Sequence, residues 1–174
     1  MGVMAREVPY RIEPLARHHN RAVFSCGKEV LDRYLKQQAG QDARRRVAAP
    51  FVLVEIGSPN ICGYCTLSAF SIELAELPSD IAKHLPRYPV VPATLLGRLA
   101  VDRRFHGQKL DAFLLMDALQ RAYQQAGHIA SAAVVVDAID AEARRFYLHF
   151  DFLAFPEHQD RLFLPMRTIA ELFR

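Results

Sequence analysis

The run Arg104-Phe105-His106-Gly107-Gln108-Lys109 sets three basic side chains around one glycine. Upstream, Leu95, Leu96, Leu99 and Val101 read as an apolar strand; downstream, Leu110, Phe113, Leu114 and Ala118 recur at helical spacing. This change of period predicts a strand that ends, and a helix that begins, between Asp102 and Lys109. A strand feeding a helix through a glycine-bearing basic turn offers backbone N–H groups and the positive helix end to a phosphate. The turn is therefore the candidate anion site.

Other reactive side chains are less well placed. His106 reads as a hydrogen-bonding or exposed member of the loop rather than a general base, and His128 and His149 have no evident partners. His18-His19 could bind a metal, but the sequence offers no third ligand, so the pair reads as polar surface. Cys62-Gly63-Tyr64-Cys65 has CxxC spacing, yet it lies in a β-like run where residues three apart point to opposite faces. Buried thiols are expected there, and no metal is expected anywhere. Three cysteines, an odd number, argue against a disulfide framework.

The elements that must position the turn follow from local pattern. Tyr10 to Pro14 form a first short strand closed by its proline. Ser25 is placed as the cap of a helix entered at Gly27, patterned by Val30, Leu31, Tyr34 and Leu35 and running to about Arg45, with Gly40 the point where it breaks in two. Phe51–Ile56 and Ile61–Leu74, joined by Gly57-Ser58-Pro59-Asn60, form a β-hairpin. A short helix over Ser79 to His84, opened by Ser79 or Asp80, precedes a loop from Pro86 to Pro92 that delivers the central strand. Gly127 caps the long helix, and the almost wholly apolar Ala132–Val136 is a strand covered on both faces. Asp140 to Phe150 is the next helix, capped by Asp137 or Asp140. Phe152–Phe155 and Arg161–Pro165 make a closing hairpin, and Thr168 to Phe173 a terminal helical turn. Such an order fits a mixed α/β sheet with helices on both sides.

A chain of 174 residues, 51% apolar, suits a single domain over 1–174 with a full core. Without an apolar run long enough for a membrane span, and without a signal-peptide apolar region at the N-terminus, the expected location is cytoplasmic and no membrane partner is expected. The formal charge of +3 is modest, but the basic residues cluster as Arg44-Arg45-Arg46 and as Arg98, Arg103, Arg104 and Lys109. Clustering of this kind suits a polyphosphate or nucleic-acid partner.

The basic turn resembles the signature of GNAT-type N-acetyltransferases, in which Gln or Arg is followed after two residues by Gly and then, one residue on, by Gly or Ala. That loop cradles the pyrophosphate of acetyl-CoA. The later block from Asp140 to Phe152, with Ala143, Phe146 and Tyr147 in step, resembles the family's Asn-x-x-Ala-x-x-Phe-Tyr-x-x-x-Gly-Phe. Four positions depart from the pattern. Lys109 stands at the final small position, Asp111 where a further glycine is common, Asp140 for Asn and Asp151 for Gly; Lys109 is expected to turn outward and add a charge to the pyrophosphate. Over most of its length the chain resembles the acetyltransferase toxins of bacterial toxin–antitoxin pairs, through Phe24-Ser-Cys-Gly27, Leu31-Asp32-Arg-Tyr34-Leu35, Gly63-Tyr64-Cys-Thr-Leu67-Ser68, Leu96-Gly-Arg-Leu-Ala-Val-Asp102 and Arg161-Leu-Phe-Leu-Pro-Met166.

The resemblance implies a GNAT fold, a central mixed sheet splayed between two parallel strands, and acetyl transfer from acetyl-CoA to the α-amine of an aminoacyl-tRNA, which blocks translation. It implies Tyr147 as general acid for the departing thiolate, since a phenol with a reference pKa near ~10 keeps its proton at neutral pH. Backbone N–H groups of Leu99, Ala100 and Val101 would polarise the thioester carbonyl. Further cofactor contacts are implied at Arg104, His106, Gly107, Gln108, Lys109, Leu110, Asp111, Asp140 and Phe146. Thr94 to Val101 carries no carboxylate base, which suits an α-amine of pKa near ~7.7 better than a lysine near ~10.4. Lys36, Arg44, Arg45, Arg46, Arg87 and Arg98 are the candidate tRNA-phosphate contacts. A ribbon-helix-helix antitoxin and a homodimer are implied as partners. Two other readings stand beside this one: acetylation of a protein N-terminus or small amine, and a catalytically inactive CoA-fold binding module.

Overall fold

The computed structural model describes residues 9–174; residues 1–8, which begin the segment searched for a signal peptide, lie outside the described residues. The strands are β1 (Tyr10–Pro14), β2 (Ala49–Glu55), β3 (Ile61–Glu73), β4 (Val90–Val101), β5 (Ala133–Asp137), β6 (Leu153–Phe155) and β7 (His158–Pro165). The helices are α1 (Glu29–Gln37), α2 (Ala39–Arg45), α3 (Ser79–Ala82), α4 (Leu110–Gln125), α5 (Ala141–His149) and α6 (Met166–Leu172). Seven strands form one mixed sheet in the order β1-β2-β3-β4-β5-β7-β6. β4 and β5 run parallel, whereas β1 with β2, β5 with β7 and β6 with β7 are antiparallel. The parallel ladder runs from Thr94↔Val134 to Leu96↔Val136, so residues 97–101 of β4 extend past its last pair.

The chain divides into two compact units, one of Met1–Thr66 with Arg98–Asp117, the other of Leu67–Gly97 with Ala118–Arg174. In the first, Phe24, Leu35, Val52, Val54, Ile61 and Tyr64 form the buried cluster. In the second, Ile72, Ala93, Val135, Phe155 and Phe163 do so. Each fully buried aliphatic or aromatic side chain is worth about 1.5–3 kcal/mol in transfer free energy. The continuous apolar run of β5 is buried from Ala133 to Val136, as a strand covered on both faces requires.

Several expected caps are not the ones used. Ser25 does not cap α1: Lys28 holds that position without a side-chain bond, because Ser25 is engaged by Arg103 and Asp102. The helix breaks at Gln38, before Gly40, with the Gln38 backbone outside the helical region. Pro78, rather than Ser79 or Asp80, precedes α3. Gly127 is absent from the glycines with left-handed backbone, and beyond α4 the N–H groups of His128 and Ile129 instead return to the Gln125 carbonyl. Asp140, not Asp137, caps α5 by accepting the Ala143 N–H at 2.8 Å; Asp137 pairs with Arg161 at 2.8 Å.

Candidate active site

β4 ends at a buried carboxylate. Asp102 is 1% exposed, and it accepts the Arg104 N–H at 2.9 Å, Arg104 Nε at 3.0 Å, Arg104 Nη2 at 3.2 Å and the Ser25 N–H at 3.0 Å. Burial alone would raise its pKa, but the bonds from Arg104 and the Ser25 amide outweigh this and hold it below the ordinary carboxylate value. The first basic residue of the loop is thus committed to an internal ion pair. Arg103 is likewise anchored: its N–H donates to the Ser25 carbonyl and its Nη2 to the Ser25 Oγ, each at 2.8 Å. His106 Nε2 lies 2.7 Å from the Val101 carbonyl. A carbonyl can only accept, so the Nε2 proton is fixed and the ring ties the loop to the end of β4.

The next residues are differently disposed. Gly107 has φ +83° and Lys109 has φ 60°, both left-handed. Open space surrounds the position a Gly107 side chain would take, and Gln108 and Lys109 are exposed. Among the described residues, the backbone N–H groups of Gly107 and Lys109 make no hydrogen bond within the chain. These unspent donors stand at the head of the 16-residue α4, where the helix dipole favours negative charge. An open amide cradle of this kind fits the pyrophosphate of acetyl-CoA. Asp111 turns its carboxylate to the Ala112 N–H at 2.8 Å, and Leu110 is buried at the helix start. Close packing beneath the loop depends on Gly63, where an added Cβ would lie 2.9 Å from the Ala100 carbonyl oxygen and from Leu114.

In the second unit, α5 presents Phe146 and Tyr147. Tyr147 is 6% exposed, with the Phe146 ring at 5.2 Å and the Phe152 ring at 5.3 Å. The N–H groups of Phe150 and Phe152 both donate to its carbonyl, at 3.0 and 3.2 Å, across a turn in which Asp151 is left-handed at φ 67°. Its backbone and ring are therefore held from several sides.

The basic residues separate. Lys36, Arg44, Arg45 and Arg46 are exposed on α1–α2 and just after it. Arg98 is half-buried, with its guanidinium 3.5 Å from the centre of the Tyr34 ring. Arg87 is exposed but belongs to the second unit. Sequence reasoning missed what steadies this region. The Tyr34 hydroxyl donates to Asp42 Oδ2 at 2.8 Å and Gln38 Nε2 to Asp42 Oδ1 at 2.9 Å, so one carboxylate bridges the break between the helices. Burial, with the bond to Asp42, pushes the Tyr34 hydroxyl up to about 12. It also missed Glu13 beside His18 and His19. His19 Nδ1 accepts the Ala16 N–H at 2.8 Å, leaving Nε2 to donate to Glu13 at 2.7 Å. Neither ring lone pair is then available to a metal. Cys62 and Cys65 are both buried thiols, as expected; burial, with the nearby Glu55 charge, raises the Cys62 thiol to about 11.

No family model matches the chain. It is 37% identical over 149 residues to a tRNA-acetylating toxin of Mycobacterium tuberculosis, covering 86% of this chain and 87% of that protein. It is 30% identical over 169 residues to a probable toxin TacT of Sinorhizobium fredii, covering 92% and 93%. Among solved structures, AtaT complexed with acetyl-methionyl-tRNAfMet superposes with a TM-score of 0.88 at 30% identity, over 95% of this chain and 99% of that one. AtaTR bound with acetyl-CoA gives 0.84 at 28%, over 95% and 99%. A tyrosine-to-phenylalanine mutant of AtaT bound to the C-terminus of the antitoxin AtaR gives 0.83 at 26%, over 95% and 98%.

Proposed function

The chain belongs to the GNAT-type acetyltransferase toxins of bacterial toxin–antitoxin systems, and on that footing we propose that it acetylates the α-amine of an aminoacyl-tRNA with acetyl-CoA and so blocks translation. The observation that carries the reading is the likeness, over 95% of the chain, to a neighbour solved with its acetylated aminoacyl-tRNA. The open amides of Gly107 and Lys109 support the cofactor half of it, because they offer a diphosphate donors that the fold does not use. Arg104 and His106 hold that loop through Asp102 and Val101.

Chemically, the α-amine nitrogen attacks the thioester carbonyl, a C–N bond forms, the C–S bond breaks, and the surplus amine proton passes to water. Amides of Leu99 to Val101, on the part of β4 beyond its β5 ladder, would stabilise the developing oxyanion. Tyr147 would return a proton to the thiolate. The Thr94–Val101 segment carries no carboxylate, and an amine of pKa near ~7.7 requires none.

Lys36, Arg44, Arg45 and Arg46, with Arg87 and Arg98, would meet tRNA phosphates, giving affinity that weakens with salt. A ribbon-helix-helix antitoxin, a homodimeric state and a cytoplasmic location complete the proposal. AtaT bound to the C-terminus of its antitoxin supports an antitoxin partner, and among the described residues no helix is long and apolar enough to cross a membrane.

Labelled acetyl-CoA offered with charged tRNA, uncharged tRNA and peptides tests the assignment. Label is expected in charged tRNA alone. Label confined to peptide would make this a protein acetyltransferase, and no label with no acetyl-CoA binding would make it an inactive binding module.

A further inference from the structure

Outside the thioester site, Arg21 and Arg44 are brought over the same point. A side chain added at Gly40 would meet Arg21 Nη1 at 3.2 Å and Arg44 Nη1 at 3.4 Å. Arg21 arrives from the loop before α1, steadied by a 3.4 Å bond from the same nitrogen to the Leu35 carbonyl; Arg44 arrives from the last turn of α2. Gly40 is not left-handed, so its backbone does not demand glycine. The absent side chain instead leaves room for both guanidinium groups. Bringing two like charges together costs free energy, and that cost turns into attraction once an anion sits between them. A phosphate is the matching ligand, since guanidinium N–H groups bond its oxygens in a planar fork. The support beneath is rigid: Asp42, four residues before Arg46, joins α1 to α2 through Tyr34 and Gln38, and Ala39 is fully buried.

We infer that Arg21 and Arg44 form a phosphate clamp over Gly40 that grips one backbone phosphate of the tRNA substrate. The inference rests on the aminoacyl-tRNA reading and adds to it a residue, Arg21, that no sequence pattern marks. It also gives the basic run a definite stoichiometry, one phosphate shared by two arginines.

The test is the KM for charged tRNA measured at several KCl concentrations for the full chain and for Arg21→Gln, Arg44→Gln and the double variant. Each single variant should raise KM about tenfold at low salt, the loss of one charge-assisted contact, and flatten the log–log salt slope by about 0.7 to 0.9, one phosphate's worth of counterion release. Because the phosphate is shared, the double variant should flatten the slope by about the same amount and not by twice it. Gly40→Val should raise KM in the same way by displacing Arg21. Calorimetric affinity for acetyl-CoA, unchanged in every variant, shows that each is folded, and Arg21→Lys, which keeps the charge without the fork, serves where Arg21→Gln is not. Slopes that fall twice as far in the double variant would mean two separate phosphates, and an Arg21→Gln or Arg21→Lys slope and KM equal to the parent's would remove the clamp. A parent protein that leaves charged tRNA unlabelled would instead remove the substrate reading on which the clamp rests.

Discussion

Lys109 and Asp151 occupy positions where related acetyltransferases favour a glycine or another small residue, and both keep left-handed backbone, at φ 60° and 67°. The cost is about 1–2 kcal/mol at each. What the two turns do with that conformation differs. At Asp151 every neighbouring amide is spent: Phe150 and Phe152 donate to the Tyr147 carbonyl and Asp151 to the Leu148 carbonyl, closing the C-terminal end of α5. At Lys109 its own amide and that of Gly107 are left open at the head of α4. The same backbone excursion ends a helix in one place and leaves donors open at the head of a helix in the other, and only the fate of the N–H groups tells them apart.

The comparison breaks most visibly at Tyr147. If the Asp151 turn exists to seat a proton donor, Tyr147→Phe, which keeps the ring against Phe146 and Phe152, should lower kcat by about 100-fold or more while calorimetry finds acetyl-CoA affinity within about twofold of the parent. An unchanged kcat would reduce that whole turn to packing.

On the loop side, the counterpart anchor is Asp102. Asp102→Asn keeps the shape but gives up the charge that holds Arg104, and should cost about 1.5–3 kcal/mol of stability by denaturant titration, with a several-fold rise in KM for acetyl-CoA. The pKa of Asp102 is depressed in the folded state, so its contribution is complete above the unfolded carboxylate value, near ~3.9, and drains away as the pH falls through the lower folded value. Acid should therefore erode the parent protein's advantage over Asp102→Asn. An advantage constant with pH would mean that the carboxylate is not the anchor.

What the sequence disclosed follows from the range of each interaction. The change of period across Val101 to Leu110 is local, and the strand, turn and helix lie where it put them. Lys109 and Asp151 stood out as departures from a small residue and from glycine, but neither their left-handed backbone nor its opposite uses was visible. Caps failed where tertiary partners claimed the side chain: the Ser25 hydroxyl is taken by Arg103, 78 positions away, and Asp137 by Arg161. The Arg98 stack on Tyr34, the Glu13 bond to His19 and the meeting of Arg21 with Arg44 join residues whose proximity no periodicity encodes. Gly40 was noticed as a helix breaker, yet the break falls at Gln38, and the glycine's vacancy matters for what passes over it.

The smallest effect separates the two turns most cleanly. Substituting glycine at either position relieves left-handed strain, but glycine's greater freedom in the unfolded chain returns about 0.5–1 kcal/mol, so Lys109→Gly and Asp151→Gly should each shift stability by less than about 1 kcal/mol. Their binding should diverge. Lys109 is exposed beside open amides, and removing its charge should weaken acetyl-CoA about two- to threefold at low salt, a difference that vanishes near 1 M salt, where screening acts within about 3 Å. Asp151→Gly should leave that affinity where it was at every salt concentration, because its turn has no free donors to offer. Tighter binding by Lys109→Gly would show that the lysine crowds the diphosphate instead of attracting it, and the two turns would then differ only in which residue obstructs and which does not.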